Sequence, residues 1–348
     1  MTSSPARHSP VHAFEALTPD VVLDALASIG LLGDGRLMAL SSYENRVYQI
    51  QLEARVQGAV GDVVVAKFYR PERWTDAQIM EEHSFANELM AAEVPVVGAL
   101  QLHGPELTST LHHFNGFAFS VSPSRGGRRP ELENFDVLAW IGRFLARIHT
   151  VGSSAPFVHR PALSLQTFGE ASRAVLLTNN YLPLDMASRW LKAFEQAMQT
   201  ATAVFESVGD IKNIRLHGDC HPGNILWTPE GVPGAGPHFV DLDDARTGPA
   251  VQDLWMLLSG ERAQCLQQLG ALVDGYEEFR AFDRRELALI EPLRTLRLIH
   301  YSAWLAQRWH DPIFPINFPW FGSSDYWKGQ VDMLEEQTEA MQAAPLVA

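Results

Sequence analysis

One short run constrains this chain more than any other: Leu216-His217-Gly218-Asp219-Cys220-His221-Pro222-Gly223-Asn224-Ile225-Leu226-Trp227. An Asp stands five positions ahead of an Asn, on a stretch broken by Gly and Pro, and the chain then turns apolar as a loop feeding a strand does. Seventeen residues past Asn224 lies Asp241, in the apolar run Phe239-Val240-Asp241-Leu242-Asp243. Arms at Asn224–Trp227 and His238–Leu242, joined by the Pro- and Gly-rich segment 229–237, predict a β-hairpin. Such a loop sets one carboxylate beside a nucleophile and then turns back, so that an amide oxygen reaches a nearby cation. A buried arm ending in Asp241 fixes the backbone and points a second hard oxygen into the same cleft. Hard oxygen ligands together with substrate phosphates suit Mg²⁺.

Protein kinases use this spacing in their catalytic loop, where the Asp accepts the proton of the attacking hydroxyl and the Asn ligates magnesium. That assigns Asp219 as base, Asn224 and Asp241 as metal ligands, and Asp219 with Asp241 as the catalytic pair. An isolated Asp-x₄-Asn is more often a cap and an Asx turn. The second strand-borne Asp and an upstream strand lysine reverse that balance. Lys67, in Val63-Val64-Val65-Ala66-Lys67-Phe68, has apolar neighbours, so its ammonium needs anionic partners, a phosphate and a carboxylate. Glu82 in the following helix is the expected carboxylate, with Glu81 the alternative. Ser41-Ser42-Tyr43-Glu44-Asn45, just before the first clear strand, is either a phosphate-covering loop or a plain β-turn. His217 and His221 are too few for a zinc hydrolase, and His217 is read as holding the loop. Asp253 caps a helix or bonds to the catalytic loop, a structural role either way. Cys220 is a small packed residue or a thiol open to peroxide.

Periodicity organises the rest. Residues 1–13 read as a loose tail. Thr18-Pro19-Asp20 starts a helix that Gly30 ends. Strands are expected at Arg46–Leu52, Val63–Tyr69 and Phe117–Val121, with a turn at Gly58 and Gly61. A helix over 76–91 buries Ile79, His83, Phe85, Ala86 and Leu89. The turn-rich segment 122–130 separates this part from helices near 134–150, 185–208, 250–259, 262–281 and 284–309. Aromatic residues crowd 309–327, as core or lid. The fold class is α+β: a small β-rich N-lobe, residues 1–122, and a larger helical C-lobe, 123–348, in a bilobal protein-kinase-like arrangement.

Charge and cysteine content exclude several classes. With 41 acidic against 27 basic residues the net charge is −14, which disfavours nucleic acid and anionic lipid as partners. Two cysteines make no disulfide framework, no apolar run spans a membrane, and the N-terminus lacks a signal-peptide core. A cytoplasmic location is expected.

The motifs LHGDCHPGNILW and FVDLDDARTGPAVQDLWMLL resemble the kinase-like superfamily of choline kinases and aminoglycoside phosphotransferases. SSYENRVYQ, VVAKFYRPERWT, IMEEH, VHRP and FPINFPWF are similar to the bacterial RdoA-type stress response Ser/Thr kinases, over about residues 14–335. The resemblance implies ATP and Mg²⁺ as cofactors, Ser42 at the ATP site with Lys67 and Glu82, and a protein Ser/Thr acceptor, the chain itself included. It further implies a monomeric phosphoprotein acting in the stress response. Asp-Leu-Asp stands where protein kinases have Asp-Phe-Gly, and no glycine-rich fingerprint is present, so an activation loop switched by phosphorylation is not expected. Two rival functions share these residues: a kinase of small alcohols such as aminoglycosides, choline or homoserine, and a non-catalytic ATP-binding scaffold. A scaffold has no need to retain the base.

Overall fold

A computed structural model describes residues 12–56, 61–102, 110–178 and 181–348. Gly58 and residues 1–11 of the expected tail lie outside the described residues. Contacts divide the chain into two compact units. One comprises the described parts of Met1–Asp76, Ala99–Ser124 and Arg308–Pro319; the other comprises those of Ala77–Gly98, Arg125–Gln307 and Trp320–Ala348.

The first unit is built on a sheet. Helix α1 (Pro19–Ser28) starts as its sequence directs: Thr18 accepts from the Val21 N–H at 3.3 Å, and Pro19 occupies the first turn. Strands β1 (Gly33–Leu40), β2 (Arg46–Leu52), β3 (Val63–Phe68), β4 (His112–Phe114) and β5 (Phe117–Pro123) pair antiparallel in the order β1-β2-β3-β5-β4. Alternation along β3 buries Val64, Ala66 and Phe68 on one face. Val22, Ala25 and Leu26 of α1 complete that core with Ile50 and Phe119, and the Phe68 and Phe119 rings stack at 5.1 Å. Burial of each such side chain contributes about 1.5–3 kcal/mol. Strand β1 carries Gly33 and Gly35, residues depleted in strands, which is why composition did not announce it.

The second unit is mainly helical. It holds α2 (Asp76–Ala91), α3 (Phe135–Gly152), α4 (Ala171–Thr178), α5 (Leu184–Val208), α6 (Val251–Trp255), α7 (Arg262–Glu277), α8 (Ile290–Arg308) and a final helix, Ser324–Gln342. Helix α2 has the expected ends and buries Ile79, His83, Phe85, Ala86 and Leu89. Two small ladders interrupt the helices: β6 (Ile214–Leu216) with β9 (Arg246–Gly248), and β7 (Ile225–Thr228) with β8 (Gly236–Phe239). Helices α3 and α7 pack backbone to backbone. A Cβ at Gly142 would overlap the Leu272 carbonyl oxygen, and one at Gly275 that of Ala139. The helix expected at 250–259 is shorter, and the one expected at 284–309 begins as a 3₁₀ segment, Arg284–Leu289. Within 309–327 the aromatic residues are partly core: Phe314 is buried in the sheet unit, Phe321 and Trp327 in the helical unit. Among the described residues no helix is long and apolar enough to cross a membrane.

Candidate active site

The register of the β7–β8 hairpin brings the predicted residues together. Ile225 lies opposite Phe239, and one step further the Val240 N–H donates to the Asn224 carbonyl at 3.0 Å. Asn224 and Asp241 therefore flank one end of the hairpin. Asn224 Nδ2 donates to the Asp219 carbonyl at 2.9 Å and approaches Asp219 Oδ2 at 3.4 Å. Its nitrogen faces Asp219, so the amide oxygen is the end available to a metal. Asp241 adopts φ 61° and ψ 65°, a left-handed conformation that only a few per cent of non-glycine residues take and that Asp tolerates better than most. Such a turn straight off β8 throws the carboxylate out of the strand direction, a local strain of the kind that clusters at functional sites. An amide oxygen and a carboxylate at one hairpin end fit a magnesium ion whose remaining ligands are water and phosphate oxygens.

Buried bonds hold the loop that presents Asp219. Asp253, 0 % exposed, accepts from the His217 N–H at 2.8 Å and the Gly218 N–H at 2.9 Å. Its Oδ2 also meets His149 Nε2 at 3.1 Å, and His149 Nδ1 meets the Tyr276 hydroxyl at 3.0 Å. Burial works to raise the Asp253 pKa, but His149, His217 and the Gly218 amide outweigh it and hold the carboxyl below its ordinary value. Of the two roles left open for Asp253, bonding to the catalytic loop is the one observed. Gln252 adds a bond from Nε2 to the Gly218 carbonyl at 3.1 Å. Gly218 itself sits at φ 84°, and a Cβ there would overlap the Asp244 carbonyl oxygen, so glycine is required.

The two histidines are committed within the loop. His217 Nε2 bonds to the Val240 carbonyl at 2.9 Å, tying the loop to the residue before Asp241. His221 Nδ1 accepts from the Gly223 N–H at 2.9 Å, and burial lowers its pKa against the pull of Asp219. No group of three or more His, Cys, Asp or Glu side chains suited to a metal occurs among the described residues. Cys220 is 0 % exposed, and burial with Asp253 and Asp219 pushes its thiol well up. Of the two readings of Cys220, the small packed residue is the one observed: the thiol is buried and pushed away from thiolate.

Several positioning residues escaped sequence reasoning. Glu81, offered as an alternative partner for Lys67, accepts from the backbone N–H groups of Val158, His159 and Arg160 at 2.6, 2.8 and 2.8 Å. Arg160, 4 % exposed, then donates to the carbonyls of Asp243 and Ala245, the latter at 2.6 Å. It thereby anchors the turn that follows Asp241. Glu82 is buried, with its Oε2 3.6 Å from Arg160 Nη1. Arg297 of α8 reaches Asp219 Oδ1 at 2.7 Å. No local pattern marks it; only folding brings α8 to the loop. Lys67 and Ser42 belong to the sheet unit. Lys67 lies on β3 between Val47 and Ser120, with Nζ 5.0 Å from the Tyr69 ring centroid. Ser42 lies in the connection between β1 and β2.

A sequence model of the phosphotransferase enzyme family (APH) matches residues 37–290. The chain is 46 % identical over 333 residues to stress response kinase A of Escherichia coli strain K12, covering 96 % of both chains. It is 44 % identical over 333 residues to the serine/threonine protein kinase RdoA of Salmonella typhimurium, again covering 96 % of each. Its fold is shared with amicoumacin kinase solved with AMP-PNP and Ca²⁺, at a TM-score of 0.64 and 16 % identity, over 90 % of each chain.

Proposed function

Because the chain belongs to the phosphotransferase enzyme family, we propose that it transfers the γ-phosphoryl group of ATP to a Ser or Thr hydroxyl of a protein. The observation that carries this reading is the meeting of Asp219, Asn224 and Asp241 at one hairpin end, with Asn224 bonded to both Asp219 and the residue before Asp241. Asp219 takes the hydroxyl proton as the oxygen attacks, and the proton resides on its carboxylate. Asn224 and Asp241 would hold Mg²⁺, which neutralises charge on the phosphates when bound. Asp253, Gln252 and Arg160 keep these groups in place, and positioning is most of what phosphoryl transfer asks of a protein. Ser42, Lys67 and Glu82 are assigned to ATP; the domain division at residue 122 and a cytoplasmic, monomeric enzyme complete the reading.

The protein acceptor rests on the two relatives, named as a stress response kinase and a serine/threonine kinase, that match over 96 % of the chain. The same catalytic residues serve kinases of small alcohols, so the acceptor is the point to test. Labelled ATP, a generic protein substrate, the chain alone, and a panel of aminoglycosides, choline and homoserine separate the readings. Label on protein Ser or Thr is the expected result. Label only on an alcohol moves the chain to the small-molecule kinases, and none on any acceptor leaves a scaffold.

A further inference from the structure

Both oxygens of the base lie against polar groups, Oδ1 being buried in an ion pair without a hydrogen bond. Asp219 Oδ2 faces Asn224 Nδ2 at 3.4 Å and His221 Nε2 at 3.5 Å, while Oδ1 lies 2.7 Å from Arg297 Nη1. An acceptor hydroxyl must come within hydrogen-bond reach of one of these oxygens. Asn224 is needed at the metal, whereas the Arg297 side chain is 41 % exposed and carried on a long, flexible stem. Oδ1 is therefore the oxygen the acceptor takes, and Arg297 is the group it displaces.

A guanidinium keeps its charge under all ordinary conditions. Asp219 is the single carboxylate within salt-bridge distance of Arg297 among the described residues. Neighbouring cations are already matched elsewhere: Arg294 with Glu291 at 2.9 Å and Arg246 with Asp244 at 2.6 Å. Once displaced, Arg297 stands beside the reacting hydroxyl as a cation without its partner. We propose that a carboxylate of the acceptor replaces Asp219 as that partner, so that the enzyme selects Ser or Thr hydroxyls in acidic segments and disfavours those flanked by Lys or Arg. The inference rests on the reading of the acceptor as protein and adds its charge class. It runs against the whole-molecule field, because a net charge of −14 by itself attracts basic segments. An acidic preference would have to come from a local cation.

The test uses the full chain and matched Ser peptides flanked by Glu, Gln or Lys, with kcat/KM measured for wild type, Arg297→Lys, Arg297→Ala and Arg297→Glu. Wild type should favour the Glu-flanked over the Lys-flanked peptide by about fivefold or more, as one partly exposed charge pair supports. Arg297→Lys should keep that order, Arg297→Ala should lose it and Arg297→Glu should reverse it. A purely structural role would slow all three peptides by one factor, so a constant ratio across the variants overturns the proposal. So does a wild type that prefers Lys flanks, or none; the latter is also the result expected if the transferred phosphoryl group is what Arg297 meets. If no peptide is phosphorylated, the protein-acceptor reading fails separately. The charge rule is then read on a hydroxy acid, a diol and an amino alcohol of equal chain length, and any order that does not place the hydroxy acid first overturns it.

Discussion

At the scale of single residues, the backbone of Asp219 is held in place by bonds that do not depend on its side-chain charge. Its carbonyl accepts from Asn224, and the amides before it are held by Asp253. Asp219→Asn should therefore keep the melting temperature and nucleotide affinity close to wild type while kcat falls by about 10²–10⁴. Single-turnover rates and calorimetry with ATP measure the two quantities separately, and near-normal turnover in the variant refutes the assignment as base. For the metal, Asp241→Ala should raise the Mg²⁺ concentration at half-maximal nucleotide binding more than Asn224→Ala does. A carboxylate contributes charge as well as an oxygen, whereas an amide contributes the oxygen alone. A magnesium titration in which the two variants rank the other way removes Asp241 from the metal site. Cys220, buried and with its thiol pushed up, should be inert to mild peroxide. Wild type and Cys220→Ser should lose activity equally under matched doses, and protection by the serine would show that the loop opens.

At the scale of elements, the five-residue helix α6 matters beyond its length, because it carries both Gln252 and Asp253 to the catalytic loop. So short a helix has little stability of its own and depends on its surroundings. Glu286, 4 % exposed, caps it by accepting from the Val251 N–H at 2.9 Å. Burial, only partly offset by that N–H, raises the Glu286 pKa from 4.5 to about 7. A carboxyl whose pKa is raised on folding contributes stability that is fully present below its unfolded value and is lost as pH rises through its folded value. The window here runs from about 4.5 to 7. Glu286→Gln, neutral at every pH and still able to accept from Val251, should match wild type near pH 5. At pH 8.5 it should be more stable by roughly 2 kcal/mol. Thermal melts at the two pH values decide this, and a pH-independent difference shows that the charge of Glu286 is not what limits α6.

At the scale of the whole molecule, residues late in the chain complete the sheet unit. Glu44 pairs with Arg70 at 3.0 Å, with Arg73 at 3.5 Å and with Arg308 at 2.6 Å. Asp311 pairs with Arg70 at 2.9 Å and with Arg46 at 3.6 Å. Arg70 also donates to the backbone carbonyls of Tyr43 and Glu44, so the cluster secures the connection in which Ser42 lies. The side chains of Glu44 and Arg308 are only 13 % and 11 % exposed, so removing the carboxylate strands desolvated cations. Glu44→Ala should cost about 3 kcal/mol of unfolding free energy. Asp34→Ala, which breaks the pair with the well-exposed Arg36, should change little by comparison. Equal effects in denaturant titrations would reduce the Glu44 cluster to a surface feature.

What the sequence by itself determined is what neighbouring residues impose on one another. Asp219, Asn224 and Asp241 were legible because a loop and a hairpin bring them together within one stretch of chain. Helix α2 and strands β2 and β3 were legible because the periods of 3.6 and 2 follow from backbone geometry. Strand β1 was not, because its glycines carry no β signal and it forms by pairing with β2. Only the tertiary structure decided that Glu81 serves the backbone at 158–160, that Asp253 holds a loop 36 positions before it, and that Arg297 reaches Asp219. Burial of the helical core makes those contacts, and a desolvated charge then accepts whichever partner the packing supplies. Spacing along the chain carries no record of that partner, so its identity emerges only when the core has formed.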